Sequence, residues 1–134
     1  MRRSLLSVPV FLLLILAEGC RDLGTEPATT PPLPPGAGGT ITFSHHVLPI
    51  FQAYGCPGCH GGTAGLTVTS VAQLLSGGLH GPAVAPGNPD SSLLVKKISP
   101  SPPFGDRMPQ GGPYLPDTTI AVIRSWIKEG APDN

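Results

Sequence analysis

Aromatic side chains are scarce in this sequence. Phe, Trp and Tyr make up 5% of the 134 residues, whereas Gly and Pro each occur 18 times. A small domain depends on large apolar side chains to bury enough surface for a stable core. Many turns and short helices are therefore expected, around an interior that the side chains alone fill poorly.

Charge and cysteine are also limited. The formal net charge is zero, and six basic residues face seven acidic ones once the first nineteen residues are removed. This balance argues against a nucleic-acid partner. Of the three cysteines, Cys56 and Cys59 form a close pair and only Cys20 is left over, so no structural disulfide is expected.

The longest apolar run lies near the N terminus. Two arginines precede the run Leu5 to Ala17, which is short for a membrane span. This arrangement predicts a secretory signal at residues 1–19 and hence export to the periplasm or cell surface. Cys20 occupies the lipidation position of a bacterial lipoprotein signal, although Glu18 is unusual there. Ordinary cleavage after Gly19 is the alternative, but it would expose a free thiol in an oxidising compartment.

Residues 20–40 consist mainly of Pro, Thr, Gly and Ala. Such a composition predicts a flexible tether, with the folded domain at 41–134. The domain shows four helical patterns and no strand pattern. The first helix is expected to be capped by Ser44 and to end by Gly55. The second is expected to open at Ser70, which forms a capping box with Gln73, and to close at Gly77 and Gly78. The third is expected at 91–98 with Asp90 as its cap, and the fourth from an Asp117 cap to Gly130.

The run Cys56-Pro57-Gly58-Cys59-His60 carries the chemistry. Cys-x-x-Cys-His is the attachment motif of c-type haem. Two thiols at this spacing can add to the two vinyl groups of one haem, and the imidazole beside them can ligate its iron. The motif predicts one covalent haem c, held by Cys56, Cys59 and His60, which would also fill the interior.

Two other uses of the cysteine pair fit less well. A thioredoxin-like redox pair needs a βαβ setting, which this sequence lacks. A zinc site needs two further ligands of the right type, and no second cysteine pair exists.

The sixth iron position requires a further side chain. Met108 is the only methionine after the signal, and it lies in a Pro-flanked loop. We expect it to ligate the iron, because a His/Met pair raises the potential of an electron carrier. The alternative is a methionine that fills a gap in the core. His80 is the main rival ligand, whereas His45 and His46 fit a surface or capping position.

Three further side chains are candidates for contact with the haem propionates. Arg107 could pair with a propionate, although a solvated arginine explains it equally well. Tyr114 and Trp126 could donate from O–H and N–H while they pack on the ring. Core packing is the alternative for Trp126.

The ordered motifs resemble the small cytochrome c domains of the planctomycete-type bacterial family. The similarity spans about Ile41 to Ala131 and rests on Phe43-x-x-x-Val47-x-Pro49-Ile50-Phe51, Cys-Pro-Gly-Cys-His-Gly at 56–61, Gly65-Leu66, Leu74-Leu75-x-Gly77-Gly78, Gly81-Pro82, Pro86-Gly87-x-Pro89-x-x-Ser92-Leu93, Arg107-Met108-Pro109, and Ile120-x-x-Ile123-x-x-Trp126-Ile127-x-x-Gly130-Ala131. It implies an all-α cytochrome c fold in which the first and last helices cross and the rest wraps one haem. It also implies thioether bonds at Cys56 and Cys59, with His60 and Met108 as axial ligands.

These features together predict an exported monohaem cytochrome that transfers single electrons and is not an enzyme. Its partners are expected to be transient redox proteins that meet a monomer, with membrane contact only through a lipid at Cys20. A haem sensor or small-ligand binder with an open sixth position is the alternative. A haem-free domain whose cysteines handle metal or disulfide chemistry is a third possibility.

Overall fold

The computed structural model describes residues 39–133. Regular structure in this range is helical, apart from two isolated bridges, Gly61 with Thr67 and Gly78 with Gly81. The elements are a π-helical turn Phe43–Val47, α1 Leu48–Ala53, α2 Cys56–Cys59, a 3-10 turn Thr63–Gly65, α3 Val71–Ser76, α4 Leu93–Ile98 and α5 Asp117–Lys128. The predicted all-α class is confirmed. The signal, Cys20 and nearly all of the tether lie outside the described residues.

Pro49 explains the unusual start of the first helical segment. Proline has no N–H to donate, and its ring crowds the carbonyl one turn earlier. The structure places Pro49 in the first turn of α1. The preceding turn widens to a π-helix, in which the Leu48 N–H donates to Phe43 O. The segment ends at Gly55, whose φ of 68° reverses the chain.

Three predicted helix caps are wrong, and in two of them the side chain has another partner. Ser44 lies inside the π-helical turn, and its hydroxyl donates to Asp133 O at 2.8 Å. Asp90 pairs with Arg124 on α5, so α4 begins only after Ser92. Asp117 is the first residue of α5 rather than its cap, a position where a carboxylate suits the helix dipole.

The second helix follows its local sequence more closely. Ser70 caps α3, with its Oγ accepting from the Gln73 N–H at 3.3 Å. The Gln73 side chain does not complete the capping box, since it accepts from Thr69 Oγ1 instead. Gly77 ends the helix as predicted.

The core joins the two ends of the described chain. Trp126 of α5 is fully buried against Phe43, with ring centroids 5.7 Å apart, and Phe43 meets Phe51 edge to face at 6.1 Å. Pro132 O accepts from both the Phe43 N–H at 3.0 Å and the Trp126 Nε1–H at 2.8 Å. The first and last helical segments are therefore packed together by the few large aromatic residues. Within residues 39–133, the helices are all too short or too polar to span a bilayer.

We expect Gly77→Ala to destabilise the domain by at least about 2 kcal/mol. A Cβ at this position would overlap Gly81 O and lie 2.6 Å from Pro82 Cα, and the backbone φ of 71° adds strain. Gly87→Ala is the matched control, because Gly87 has a φ of 78° but no heavy atom within 4 Å of its Cβ position. Urea denaturation should show a clearly larger loss for Gly77→Ala. Equal losses of stability would mean that the backbone at Gly81 and Pro82 moves away from the added Cβ at little cost in free energy.

Candidate cofactor site

An apolar cavity opens on the side of the domain that carries the Cys-x-x-Cys-His motif. Its volume is about 200 Å³, and it is open to solvent on one side. Its walls come from α1, α2, α4 and the loops between the helices. The lining residues are Phe51, Cys56, His60, Ala64, Leu66, Val68, Gly78, Leu79, His80, Gly81, Ala83, Leu93, Leu94, Lys97, Ile98, Phe104, Met108 and Leu115.

The short helix α2 brings the motif to this cavity. Gly55 turns the chain into the helix, and the His60 N–H donates to Cys56 O at 2.8 Å, which closes the turn. Cys56 and His60 both line the cavity and are partly buried. Cys59 is exposed and lies outside the lining. Both thiols are free, as attachment to a cofactor requires.

His60 carries an unsatisfied buried atom. Its Nδ1 is buried and has no hydrogen-bond partner among the described residues. Buried polar atoms in folded proteins nearly always have a partner, and a neutral imidazole can satisfy a nitrogen by binding a metal. An imidazole in this state, beside two free thiols and an apolar cavity, fits a haem group.

Burial raises the pKa of the Cys56 thiol, and the nearby Cys59 adds to this effect, whereas a backbone hydrogen bond opposes it. The thiol of Cys56 therefore stays protonated to a higher pH than an ordinary cysteine. A neutral thiol is the form that suits the apolar wall in which Cys56 lies.

Met108 lines the same cavity as His60 and is partly buried against the core. Its N–H donates to Lys97 O at 2.8 Å, which ties this part of the long loop to the end of α4. His80, the rival ligand, also lines the cavity but is exposed. Its ring stacks on Phe104 with centroids 4.3 Å apart. The structure thus brings together Cys56, His60 and both candidates for the sixth position.

The three candidates for propionate contact lie elsewhere. Trp126 is fully buried in the core and its N–H is occupied by Pro132 O, so core packing describes its position. Arg107 is partly buried rather than solvated, and its guanidinium donates to Ile98 O at 2.8 Å and Leu115 O at 3.4 Å. It also stacks over the half-exposed ring of Tyr114, 4.5 Å from the centroid. In place of a propionate, the structure gives Arg107 main-chain carbonyls.

The other two histidines serve the start of the first helical segment. His46 Nδ1 accepts from the Thr42 N–H at 3.1 Å, and His45 Nδ1 lies 3.2 Å from Thr42 Oγ1. Neither lines the cavity. Both therefore fit the predicted capping position.

The lining residues that sequence reasoning missed include Leu79, Lys97 and Phe104. Leu79 is 80% exposed and Phe104 is 40% exposed. The sequence could have indicated Phe104, because a large apolar residue in a Pro-rich loop does not belong to the packed face of a helix and so needs another apolar surface to contact. Lys97 gave no signal, because a lysine in the last turn of a helix is ordinarily a solvated residue.

The alternatives for the cysteine pair gain no support. Across residues 39–133, no group of three or more His, Cys, Asp or Glu side chains could hold a metal ion, which a zinc site would need. The same residues form no named strand, whereas a thioredoxin-like pair sits in a βαβ unit.

Within residues 39–133, a helical domain without named strands brings the Cys56 thiol and the partly buried His60 imidazole to one apolar cavity, with Cys59 in the same short helix, and these are features of a c-type haem protein. Comparison with protein families agrees. Residues 56–110, from the first cysteine of the motif to just past Met108, match the family model of Planctomycete cytochrome C. The match covers less than half of the chain and supports a planctomycete-type cytochrome c domain at these residues; domains of that class bind haem and are generally electron carriers rather than enzymes. No curated protein and no solved structure matches the chain.

Proposed function

We propose that this protein is an exported monohaem cytochrome that passes single electrons between redox partners. Cys56 and Cys59 form the two thioether bonds, and His60 and Met108 are the axial ligands. The observation that carries the proposal is that Cys56, His60 and Met108 line one apolar cavity. The residues come from the α2 segment and a loop almost fifty positions later, so only the fold brings them together.

Each group in the site has a separate task in this proposal. When bound, a haem supplies a one-electron Fe(III)/Fe(II) couple. Cys56 and Cys59 would hold the haem by supplying the thiols for its two vinyl groups. The apolar lining limits the access of water to the haem. This limited access and the two ligands together set the reduction potential. Two protein ligands leave no position for a substrate, and for this reason no catalytic residue is proposed.

The proposed setting is outside the cytoplasm. The N-terminal pattern favours a signal peptide, a lipid at Cys20 and a tether that holds the domain away from a membrane surface. Near-neutral charge fits transient contacts with redox partners, whose interfaces are small. We propose a monomer that contacts the membrane only through that lipid and binds no nucleic acid.

The test is made on protein exported from a host with cytochrome c maturation machinery. We expect a haem-staining band after denaturing electrophoresis, and a redox titration with one reversible one-electron step whose spectra keep six-coordinate iron throughout. A bare polypeptide by mass spectrometry would remove the proposal. A stained band with an open iron position would favour the sensor or ligand-binder alternative.

A further inference from the structure

Lys97 lies between helix α4 and the loop that carries Met108. Its ammonium donates to two main-chain carbonyls of that loop, Phe104 O at 2.6 Å and Asp106 O at 2.7 Å. It also lies 4.8 Å from the centre of the Phe104 ring. Hydrogen bonds from a charged donor are stronger than neutral ones. The side chain therefore holds two points of the loop segment 104–106.

The backbone of the same residue holds the other end of this segment. Lys97 O accepts from the Met108 N–H at 2.8 Å, and the next carbonyl, Ile98 O, accepts from Arg107 Nε at 2.8 Å. The last carbonyls of a helix have no partner within the helix, and here the loop satisfies two of them. The loop 104–108 is thus fixed to one end of α4 by both the main chain and the side chain of Lys97.

This arrangement concerns the cavity because the loop supplies part of its wall. Phe104, Met108 and Lys97 itself all line it. The loop also contains Gly105, with a φ of 56°, next to the Lys97 ammonium. Without the ammonium, the hydrogen bonds that would still join this segment to α4 among the described residues are those of the Met108 N–H and the Arg107 side chain.

We propose that Lys97 is a positioning residue that holds loop 104–108 so that Met108 stays at the iron. The proposal rests on Met108 being the axial ligand. Lys97 touches neither sulfur nor iron in this role; it lowers the freedom of the loop and so favours the state in which Met108 is in position over the state in which it has left. A labile methionine would open the sixth position to other ligands.

The experiment compares the exported holoprotein with variants that each carry a single substitution. Lys97→Met removes the ammonium and keeps an unbranched apolar stem, whereas Lys97→Arg keeps a charged donor. Lys96→Met is the matched control, since Lys96 is the exposed neighbour in α4 and does not line the cavity. Because Lys97→Met adds a thioether to the cavity lining, Lys97→Gln is measured beside it and must give the same result; it also takes its place if Lys97→Met does not accumulate.

Two measurements separate anchoring of the loop from positioning of the ligand. Hydrogen exchange of the amides in 104–108 reports how firmly the loop is held. Titration with imidazole reports how easily the sixth ligand is displaced. In Lys97→Met we expect faster exchange and about ten-fold tighter imidazole binding, the scale of losing one hydrogen bond to a charged group. Lys97→Arg should recover most of both, and Lys96→Met should match the wild type.

Unchanged exchange in Lys97→Met would overturn the proposal, and so would faster exchange with unchanged imidazole binding. Met108→Ala distinguishes this failure from that of the proposed ligand. If Met108→Ala binds imidazole no better than the wild type, Met108 is not the ligand, and the positioning role falls with it. If Met108→Ala binds imidazole more tightly and Lys97→Met does not, only the role of Lys97 is overturned.

Discussion

Exported protein carrying both Cys56→Ser and Cys59→Ser is expected to contain no covalently bound haem. Each sulfur supplies one thioether bond, and a serine hydroxyl does not replace it. The loss should be complete in haem-stained denaturing gels, and the intact mass should be that of the polypeptide alone. Because the apolar cavity of about 200 Å³ would then lack its covalent filling, we also expect the domain to unfold at lower urea concentration.

The single variants and Cys20→Ser give this test its controls. Cys56→Ser and Cys59→Ser alone each leave one thiol in the motif, so some stained protein should remain. Cys20 is the remaining cysteine of the chain and is not part of the Cys-x-x-Cys-His motif, so Cys20→Ser should stain like the wild type. Full staining of the double variant would show that this motif is not the attachment point.

The elements that local sequence determines are the ones that could be predicted. Ser70 caps α3 and Gly77 ends it, because hydroxyl capping and backbone reversal depend only on neighbouring residues. Pro49 is compatible either with a kink in the first helix or with a helix that starts with the proline in its first turn. The structure combines a proline in the first turn of α1 with a widened turn before it. In both helices the physical cause acts within one turn of the chain.

The failures come from partners that are distant in sequence. Ser44 reaches Asp133 O, 89 positions away, and Asp90 reaches Arg124, 34 positions away. Both residues had the right chemistry for a helix cap, yet tertiary partners took their side chains. No periodicity in the sequence encodes such pairs, since they depend on how the chain ends meet around Phe43 and Trp126.

The residues of the site also fall into two groups, those that the local sequence could place and those whose position depends on folding. Cys56 and His60 could be placed in one site from five consecutive letters, and the structure puts both on the cavity wall. Met108 was inferred as the only methionine left after the signal, and its position on that wall is a result of folding. The propionate candidates could not be placed from sequence, because Arg107 and Trp126 find main-chain carbonyls that become available only once the loops close.

Met108→Leu is expected to remove the absorption features that methionine ligation gives to the ferric haem. It is also expected to lower the reduction potential on the order of 0.1 V, within the range of about 0.8 V that axial ligands span. Leucine keeps nearly the volume of methionine in an apolar wall, so packing changes little. The thioether sulfur is lost, and with it the ligand that stabilises ferrous iron. The measurement is a redox titration with a full spectrum at each step.

His80→Ala is the paired variant, because His80 lines the same cavity and is the other described imidazole there besides His60. Its ring stacks on Phe104 at the exposed side of the cavity, so its removal should leave the methionine spectrum and the potential close to those of the wild type. The opposite pattern would contradict ligation by Met108: an unchanged spectrum in Met108→Leu with a changed one in His80→Ala means a bis-histidine site, whose potential is lower. Because leucine preserves the packing that a buried methionine would supply, a spectral change in Met108→Leu alone separates the ligand from a methionine that only fills the core.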